Sequence, residues 1–385
     1  MPTPAASRPL TLVLGPVLGV ALLLAGCSGT AEPQPLPHVA DPSAPRPPAT
    51  PEPSTPGPST AEPSTPGPSG GVPTTAEPPE EVSIAFVGDV MLGRSIGERI
   101  IAGEDPFAGV AAQLAEADLV VGTLETTVGE GGQAEDKSFT FQAPPESVNS
   151  LVSSGFDLVS LANNHSYDYG ADGLTETIQL LDDGELAHVG AGANAAAART
   201  PVVLDVGGVE VAFLSYVDVP DDWTGYRNRD WAATDSSPGV AWADPEVIAD
   251  DVAAASEDAD HVVVLVHAGV EGSQQPSEVQ YAAADAALEA GATAVIGGHP
   301  HVLQGYRHQD GRLTAWSLGN FVFDGFGDDP VASQSAILTL TLDHEELTDV
   351  AWAPVAIVDG LPVALDPTSS QGRAILEGLE SLPGS

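Results

Sequence analysis

From Val82 onward the chain alternates short β-branched runs with alanine-rich stretches of helical period, and that alternation restricts it to a layered α/β fold. The spacing predicts strands at Ser83–Val87, Leu119–Leu124, Leu158–Leu161, Val202–Val206, Val209–Tyr216, His261–Val266, Ala294–Ile296, Leu313–Ser317 and Ala336–Leu342. It predicts helices at Phe107–Ala115, Pro145–Ser153, Ala171–Asp182, Pro245–Ser256 and Pro276–Ala290. Several of these start on proline, whose missing N–H costs nothing in a first turn. The stretch from about Ala332 to Val358 carries few helical signals and should form antiparallel pairs. No second boundary interrupts 82–370, which reads as one domain, and 371–385 reads as a C-terminal tail.

What precedes Val82 has almost nothing to bury. Residues 28–81 are mostly Pro, Ser, Thr, Gly, Ala and Glu, with a near-exact tandem repeat running from Glu52 to Ala61 and again from Glu62 to Gly71. Frequent proline removes backbone donors and favours extended conformers, so this segment reads as a semi-rigid disordered stalk. Residues 1–27 read as an export signal. They carry Arg8 and no acid, then an apolar run from Leu10 to Ala25, then Leu24-Ala25-Gly26-Cys27. That ending resembles the bacterial lipobox, which implies a lipidated Cys27 and a chain tethered to the outer face of the bacterial cytoplasmic membrane. Cys27 is also the only cysteine, so neither an intrachain disulfide nor a thiolate metal site is available to the domain. A formal net charge of -44 argues against nucleic acid and anionic lipid head groups as partners.

The polar residues of interest follow apolar strands. Val87 leads through Gly88 to Asp89, Leu124 to Glu125, and Leu161 to Asn163-Asn164-His165. Val266 leads to His267, and Ile296-Gly297-Gly298 to His299-Pro300-His301. In open α/β sheets the carboxyl ends of strands gather at one edge, so Asp89, Glu125, Asn164, His267, His299 and His301 can converge there. Imidazole nitrogen with carboxylate and amide oxygen suits zinc, iron or manganese, and a carboxylate can bridge two such cations. Each motif taken singly has a plainer reading. Gly88-Asp89 also fits a turn, Asn163-Asn164-His165 a helix cap, and His267 a satisfied core imidazole. The pair His299 and His301 is the more telling one, because a glycine-rich turn stiffened by Pro300 presents both rings near one point.

The order of motifs is similar to the CapA family of capsule and poly-γ-glutamate biosynthesis proteins. The residues that carry the resemblance are Phe86 to Arg94, Leu124-Glu125-Thr126, Ala162 to His165, His188 to Gly192, His267 to Glu271, Gly298 to His301 and Ser317 to Phe321. The resemblance implies the calcineurin-like metallophosphatase fold, an α/β sandwich of two facing mixed sheets flanked by helices. It also implies divalent cations, a pair of them (manganese, iron or zinc), with Asp89 and His301 serving the first and Asn164, His267 and His299 the second. Glu125 would bridge. His165 would be the catalytic imidazole that protonates a leaving oxygen. Arg94 and Glu271 would lie near the pocket mouth, and Asn320 behind the ligands. The chain departs from the family at Thr123, Ala268 and Gly298, and from metallophosphatases at Met91, which stands where a further ligand is usual.

Two functions from different classes follow. One is a surface enzyme, a metal-dependent hydrolase or transferase of the phosphoesterase kind acting on a phosphoester or an amide-linked polymer. The other is a capsule-assembly or binding factor on a degenerate scaffold, working beside other capsule or polyglutamate synthesis proteins. Because neutral imidazole binds metal, occupancy is expected to fall as pH drops through the ordinary histidine range, near about 6.5.

Overall fold

The computed structural model describes residues 81–326 and 329–384. The leader, Cys27 and the stalk up to residue 80 lie outside the described residues. Among the described residues, no helix is long and apolar enough to cross a membrane.

Two sheets carry the domain. In the first, eight strands are joined, and Val82–Val90 sits near its centre. On one side Val82–Val90 pairs parallel with Leu119–Leu124, which pairs parallel with Leu158–Ser160 and that in turn with Ala187–Val189. On the other side it pairs antiparallel with Gln334–Leu342, followed by Leu347–Val358 and Leu361–Ala364, both also antiparallel. The short strand Asn320–Val322 adds in parallel at the carboxyl end of Val82–Val90. The second sheet has six strands in the order Tyr306–Gln309, Arg312–Ala315, Ala294–Gly298, His261–Ala268, Val209–Asp218 and Val202–Val206. Its inner pairings are parallel, and the hairpins at its two edges are antiparallel.

The burial pattern explains the layering. Val82–Val90 and His261–Ala268 are buried almost throughout, as strands covered on both faces must be. Phe86, Val121, Phe213, Leu265, Ile296 and Leu338 fill the space between the sheets. Outside the first sheet, Leu151, Leu174 and Leu181 bring down the helices Glu146–Ser153 and Gly170–Asp183. Outside the second, Ile248, Val252, Ala284 and Ala287 do the same for Pro245–Ala255 and Glu278–Ala290. This is the expected α/β sandwich of two mixed sheets flanked by helices, and the antiparallel pairs expected after Ala332 are Gln334–Leu342 and Leu347–Val358.

Two of the segments read from sequence differ from expectation, and the helices Arg94–Ile101 and Ala195–Arg199 are additions to it. The helix predicted at Phe107–Ala115 shrinks to Ala111–Leu114. The Asp105 side chain takes the Phe107 amide at 2.9 Å, and Gly109 lies so close to Pro362 that a Cβ would come 2.3 Å from its carbonyl oxygen. Those contacts make a turn, not a helix start. The segment read as a tail from residue 371 instead belongs to a helix, Ser370–Ser381, capped by Ser369 and packed through Ile375 and Leu379 against Leu303 and Ala336.

Candidate metal centre

The functional side chains sit where the parallel strands of both sheets end. Asp89 is the penultimate residue of Val82–Val90, and its amide donates to Gly319 O at 2.9 Å. A Cβ at Gly88 would lie 2.0 Å from that same oxygen, so glycine is what lets the two segments meet. Glu125 follows Leu119–Leu124 directly, its amide donating to Val90 O at 2.8 Å. The loop after Leu158–Ser160 is latched by Asn163, whose side chain donates to Leu124 O at 2.8 Å and accepts from His165 N at 2.9 Å. His267 lies inside the strand His261–Ala268, and His299 and His301 follow Ala294–Gly298.

The histidine turn stores strain. His299 and His301 hold φ of 93° and 56°, left-handed values that cost a non-glycine residue about 1–3 kcal/mol each. They are fixed from several sides. The His299 amide donates to Asp89 Oδ2 at 3.1 Å, and Asn320 donates through Nδ2 to His301 O at 3.2 Å. Behind the turn, Gln280 donates to Gln304 Oε1 at 2.8 Å and to Trp316 O at 3.0 Å, and Gln304 donates to Ser273 O at 2.8 Å. A side chain at Gly298 would place its Cβ 2.6 Å from Asp89 Oδ1 and 3.2 Å from His267 Nδ1, so the glycine there clears the centre of the cluster.

Two triads of donors result, and they share one carboxylate. Glu125, His267 and His299 present ligand atoms within 4.8 Å of one another, and so do Asp89, Glu125 and His301. Glu125 Oε1 lies 3.5 Å from His267 Nε2 and 3.8 Å from His301 Nε2. Asp89 Oδ1 is 3.7 Å from His267 Nδ1, and Asp89 Oδ2 is 3.5 Å from His301 Nδ1. Asn164 Oδ1 meets His267 Nε2 at 2.7 Å, which adds an amide oxygen to the first triad. Asn320 Oδ1 meets His301 Nδ1 at 2.9 Å and so stands behind a candidate ligand rather than among the donors.

The donor set fits divalent cations on a property of the chain itself. Asp89 Oδ1, both Glu125 carboxylate oxygens, His267 Nδ1 and His299 Nδ1 are buried with no hydrogen-bond partner among the described residues. Orphan polar atoms at this density are expensive unless something else satisfies them. Burial also sets their protonation. It raises the Asp89 carboxyl to about 8, with Glu125 adding to the shift, and lifts Glu125 well above the usual carboxylate range. It lowers His267 to about 4 and His301 to about 3, and pushes His299 well down, so the imidazoles are neutral and ready to ligate.

His165 belongs to neither triad. Its Nδ1 meets Asp168 Oδ2 at 2.7 Å, its Nε2 points toward Glu125 Oε1 at 3.9 Å, and its ring stacks on Phe141 with centroids 4.1 Å apart. Asp168 also accepts from the Phe141 amide at 2.6 Å and pairs with Lys137 at 2.5 Å. Lys137 Nζ in turn donates to the Asn164 carbonyl at 2.5 Å. Burial holds His165 at about 4 despite the pull of Asp168. Asp168, Lys137 and Phe141 are the residues that sequence reasoning missed. Two signals for them were present: an acid three residues after His165, and the only lysine of a strongly acidic chain.

The other two residues read from sequence part company. Glu271 lines the cavity that leads from the surface down to His165, Asn164 and His299, a space of about 290 Å³. Arg94 does not line it. Its Nε pairs with Asp324 Oδ1 at 3.2 Å and its guanidinium lies 5.6 Å from the Phe141 ring centroid.

Comparison with known proteins places relatives beside this geometry. The family model described as "Bacterial capsule synthesis protein PGA_cap" matches residues 83–325. The chain is similar to the capsule biosynthesis protein CapA of Bacillus anthracis, 36% identical over 255 residues that cover 64% of this chain and 60% of that protein. It is 34% identical over 249 residues to the PGA biosynthesis protein CapA of Bacillus subtilis, covering 63% of each. A probable polyglutamine synthesis accessory protein of Mycobacterium tuberculosis is 30% identical over 266 residues, covering 64% of this chain and 66% of that one. The chain thus spans less than two thirds of the length of each of these relatives.

Proposed function

This chain belongs to the PGA_cap family of bacterial capsule synthesis proteins, and from that premise we propose that it is a surface lipoprotein whose metallophosphatase-like centre holds two divalent cations and supports hydrolysis or transfer during capsule or poly-γ-glutamate synthesis or export. One observation carries the reading: two buried triads of donors share Glu125, and five donor atoms among them lack any other partner. In this reading Asp89 and His301 would hold one cation, Asn164, His267 and His299 would hold the other, and Glu125 would serve both. The cations, when bound, supply charge stabilisation for a phosphoryl or acyl oxygen and an activated water. The chain's own part is to hold and move a proton at His165 Nε2, with Asp168 fixing the ring and Lys137 fixing Asp168. Phe141 and Phe323 cover the rings of His165 and His301 and keep bulk water from them.

The test is elemental analysis of the purified chain combined with turnover of bis-p-nitrophenyl phosphate. About two equivalents of manganese, iron or zinc per chain together with turnover are the expected result. Absence of metal at micromolar supply sinks the reading. A non-catalytic assembly factor would then take its place, a role suited to the buried Met91, whose sulfur meets the Gly93 amide at 3.2 Å where metallophosphatases have a further ligand.

The location proposed is the outer face of the cytoplasmic membrane, with Cys27 as anchor, the stalk as spacer and other capsule-synthesis proteins as neighbours. Cys27→Ser is expected to leave the chain either released from the membrane or retained as an uncleaved precursor. Fractionation with lipid labelling decides it, and undiminished label on the mutant would rule the anchor out.

A further inference from the structure

The cavity leading to the metal centre has a mouth unlike the rest of the surface. Phe139 and Trp223, 63% and 85% exposed, are the exposed phenylalanine and tryptophan among the described residues, and both stand on this rim beside the exposed Val270. Solvent-facing aromatics add nothing to the core, and here they are held in place beside one another. The Ser138 amide and hydroxyl donate to the Asp222 carboxylate at 3.1 and 2.8 Å, so the loops bearing Phe139 and Trp223 are fastened to each other next to those residues. Thr224 N donates to Asp222 at 2.7 Å and stiffens the second loop.

The charge of the rim is one-sided. Asp221, Asp222 and Glu271 line it. Asp221 accepts a single bond, from the Asn228 amide at 3.1 Å, and Glu271 makes no hydrogen bond or ion pair among the described residues. Among the described residues the one cation there, Lys137, is committed to Asp168 and to the Asn164 carbonyl. At the floor stands His299, 4% exposed, with its Nδ1 unpartnered. A floor that holds divalent cations attracts an anion, while a rim of carboxylates and aromatic faces attracts a cation and repels a second anion.

We propose that this mouth selects a substrate carrying an ammonium group next to the anionic group that reaches the metal centre, with Trp223 and Phe139 contacting the ammonium and Glu271 and Asp221 balancing its charge. The proposal rests on the reading of the centre as a metal site. It makes Trp223 and Glu271 specificity-determining residues, and it keeps the anionic side groups of a polyglutamate chain out of the mouth.

The probes are phosphocholine and 3,3-dimethylbutyl phosphate, an isostere that keeps the phosphate but lacks the ammonium charge, titrated calorimetrically into the manganese-loaded full chain. Phosphocholine is expected to bind at least about tenfold more tightly, and Trp223→Ala to bring the two within about threefold. Trp223 is exposed and supports no core, so the variant folds as the parent does. Equal affinities, a preference for the isostere, binding of neither, or an advantage that survives Trp223→Ala would each overturn the proposal. Turnover of bis-p-nitrophenyl phosphate on the same preparation reports on catalysis separately. A chain that prefers phosphocholine yet turns over no ester loses the hydrolytic reading and keeps this one.

Discussion

Glu125→Gln is expected to strip the centre of both cations at once, lowering affinity for each by more than about a hundredfold, whereas Asp89→Asn should chiefly empty one position. The asymmetry follows from the sharing: Glu125 is common to both triads, while Asp89 serves the triad completed by His301. Changing a partner outside the ligand shell already costs about 10–100-fold in metal affinity, so loss of a bridging anionic ligand should cost more. Elemental analysis after dialysis reads the result, and equal metal content in Glu125→Gln and wild type would refute the arrangement. Unfolding is not the expected cause of the loss. Glu125 is fully buried with both carboxylate oxygens unpartnered, so a neutral amide in its place should leave the cation-free protein melting no lower than cation-free wild type.

The same residues set the pH dependence, and they move it from where the sequence alone puts it. Burial has already taken His267 to about 4 and His301 to about 3, so protons do not compete at those rings near 6.5. They compete at Asp89, raised to about 8, and at Glu125, raised well above its usual range. Cation binding should therefore weaken as pH drops below about 8. The sign for stability is opposite in the cation-free chain. A carboxyl whose folded value is raised stabilises fully below the ordinary 3.8 and loses that contribution as pH rises through about 8. The gain in melting temperature on adding manganese should widen across the same window.

Much of this candidate centre is legible in the sequence because each candidate ligand sits at or near the carboxyl end of a strand whose apolar run is easy to recognise. Val87 to Asp89, Leu124 to Glu125 and Ile296 to His299 are one pattern repeated, and the carboxyl ends of parallel strands collect at one edge. What pattern cannot reveal is contact between segments remote in sequence. Arg94 follows the first motif directly, yet it turns to Asp324, a partner 230 residues away that no local period announces. Lys137 lies between predicted elements, with no periodicity to mark it, and acquires its role only when the loop folds over Asp168. The helix Ser370–Ser381 was lost among polar residues because Ile375 and Leu379 supply its buried stripe almost alone.

His165→Ala is expected to keep the metal and lose turnover of bis-p-nitrophenyl phosphate by about 10²–10⁴-fold, the usual worth of a positioned proton-transfer group. The imidazole lies outside both triads, so its removal subtracts no candidate ligand; its Nε2 faces Glu125 at 3.9 Å, beside the carboxylate the two triads share. The pH profile then tells which way the proton moves. Held at about 4 by burial, the free ring is neutral across the physiological range and serves as a base, so activity limited by it should fall only as pH drops toward about 4. If instead His165 protonates a leaving oxygen, an anionic substrate must first raise its pKa; kcat should then fall only above that raised value, while kcat/KM, which reports the free enzyme, should fall from about 4 upward. Asp168→Asn separates orientation from charge. It retains a hydrogen-bonding atom near Nδ1 but removes the anion that opposes the burial effect and pairs with Lys137, so turnover should drop with metal content unchanged. A His165→Ala chain that turns over ester at the wild-type rate would leave the triads as a binding site without a proton-transfer partner.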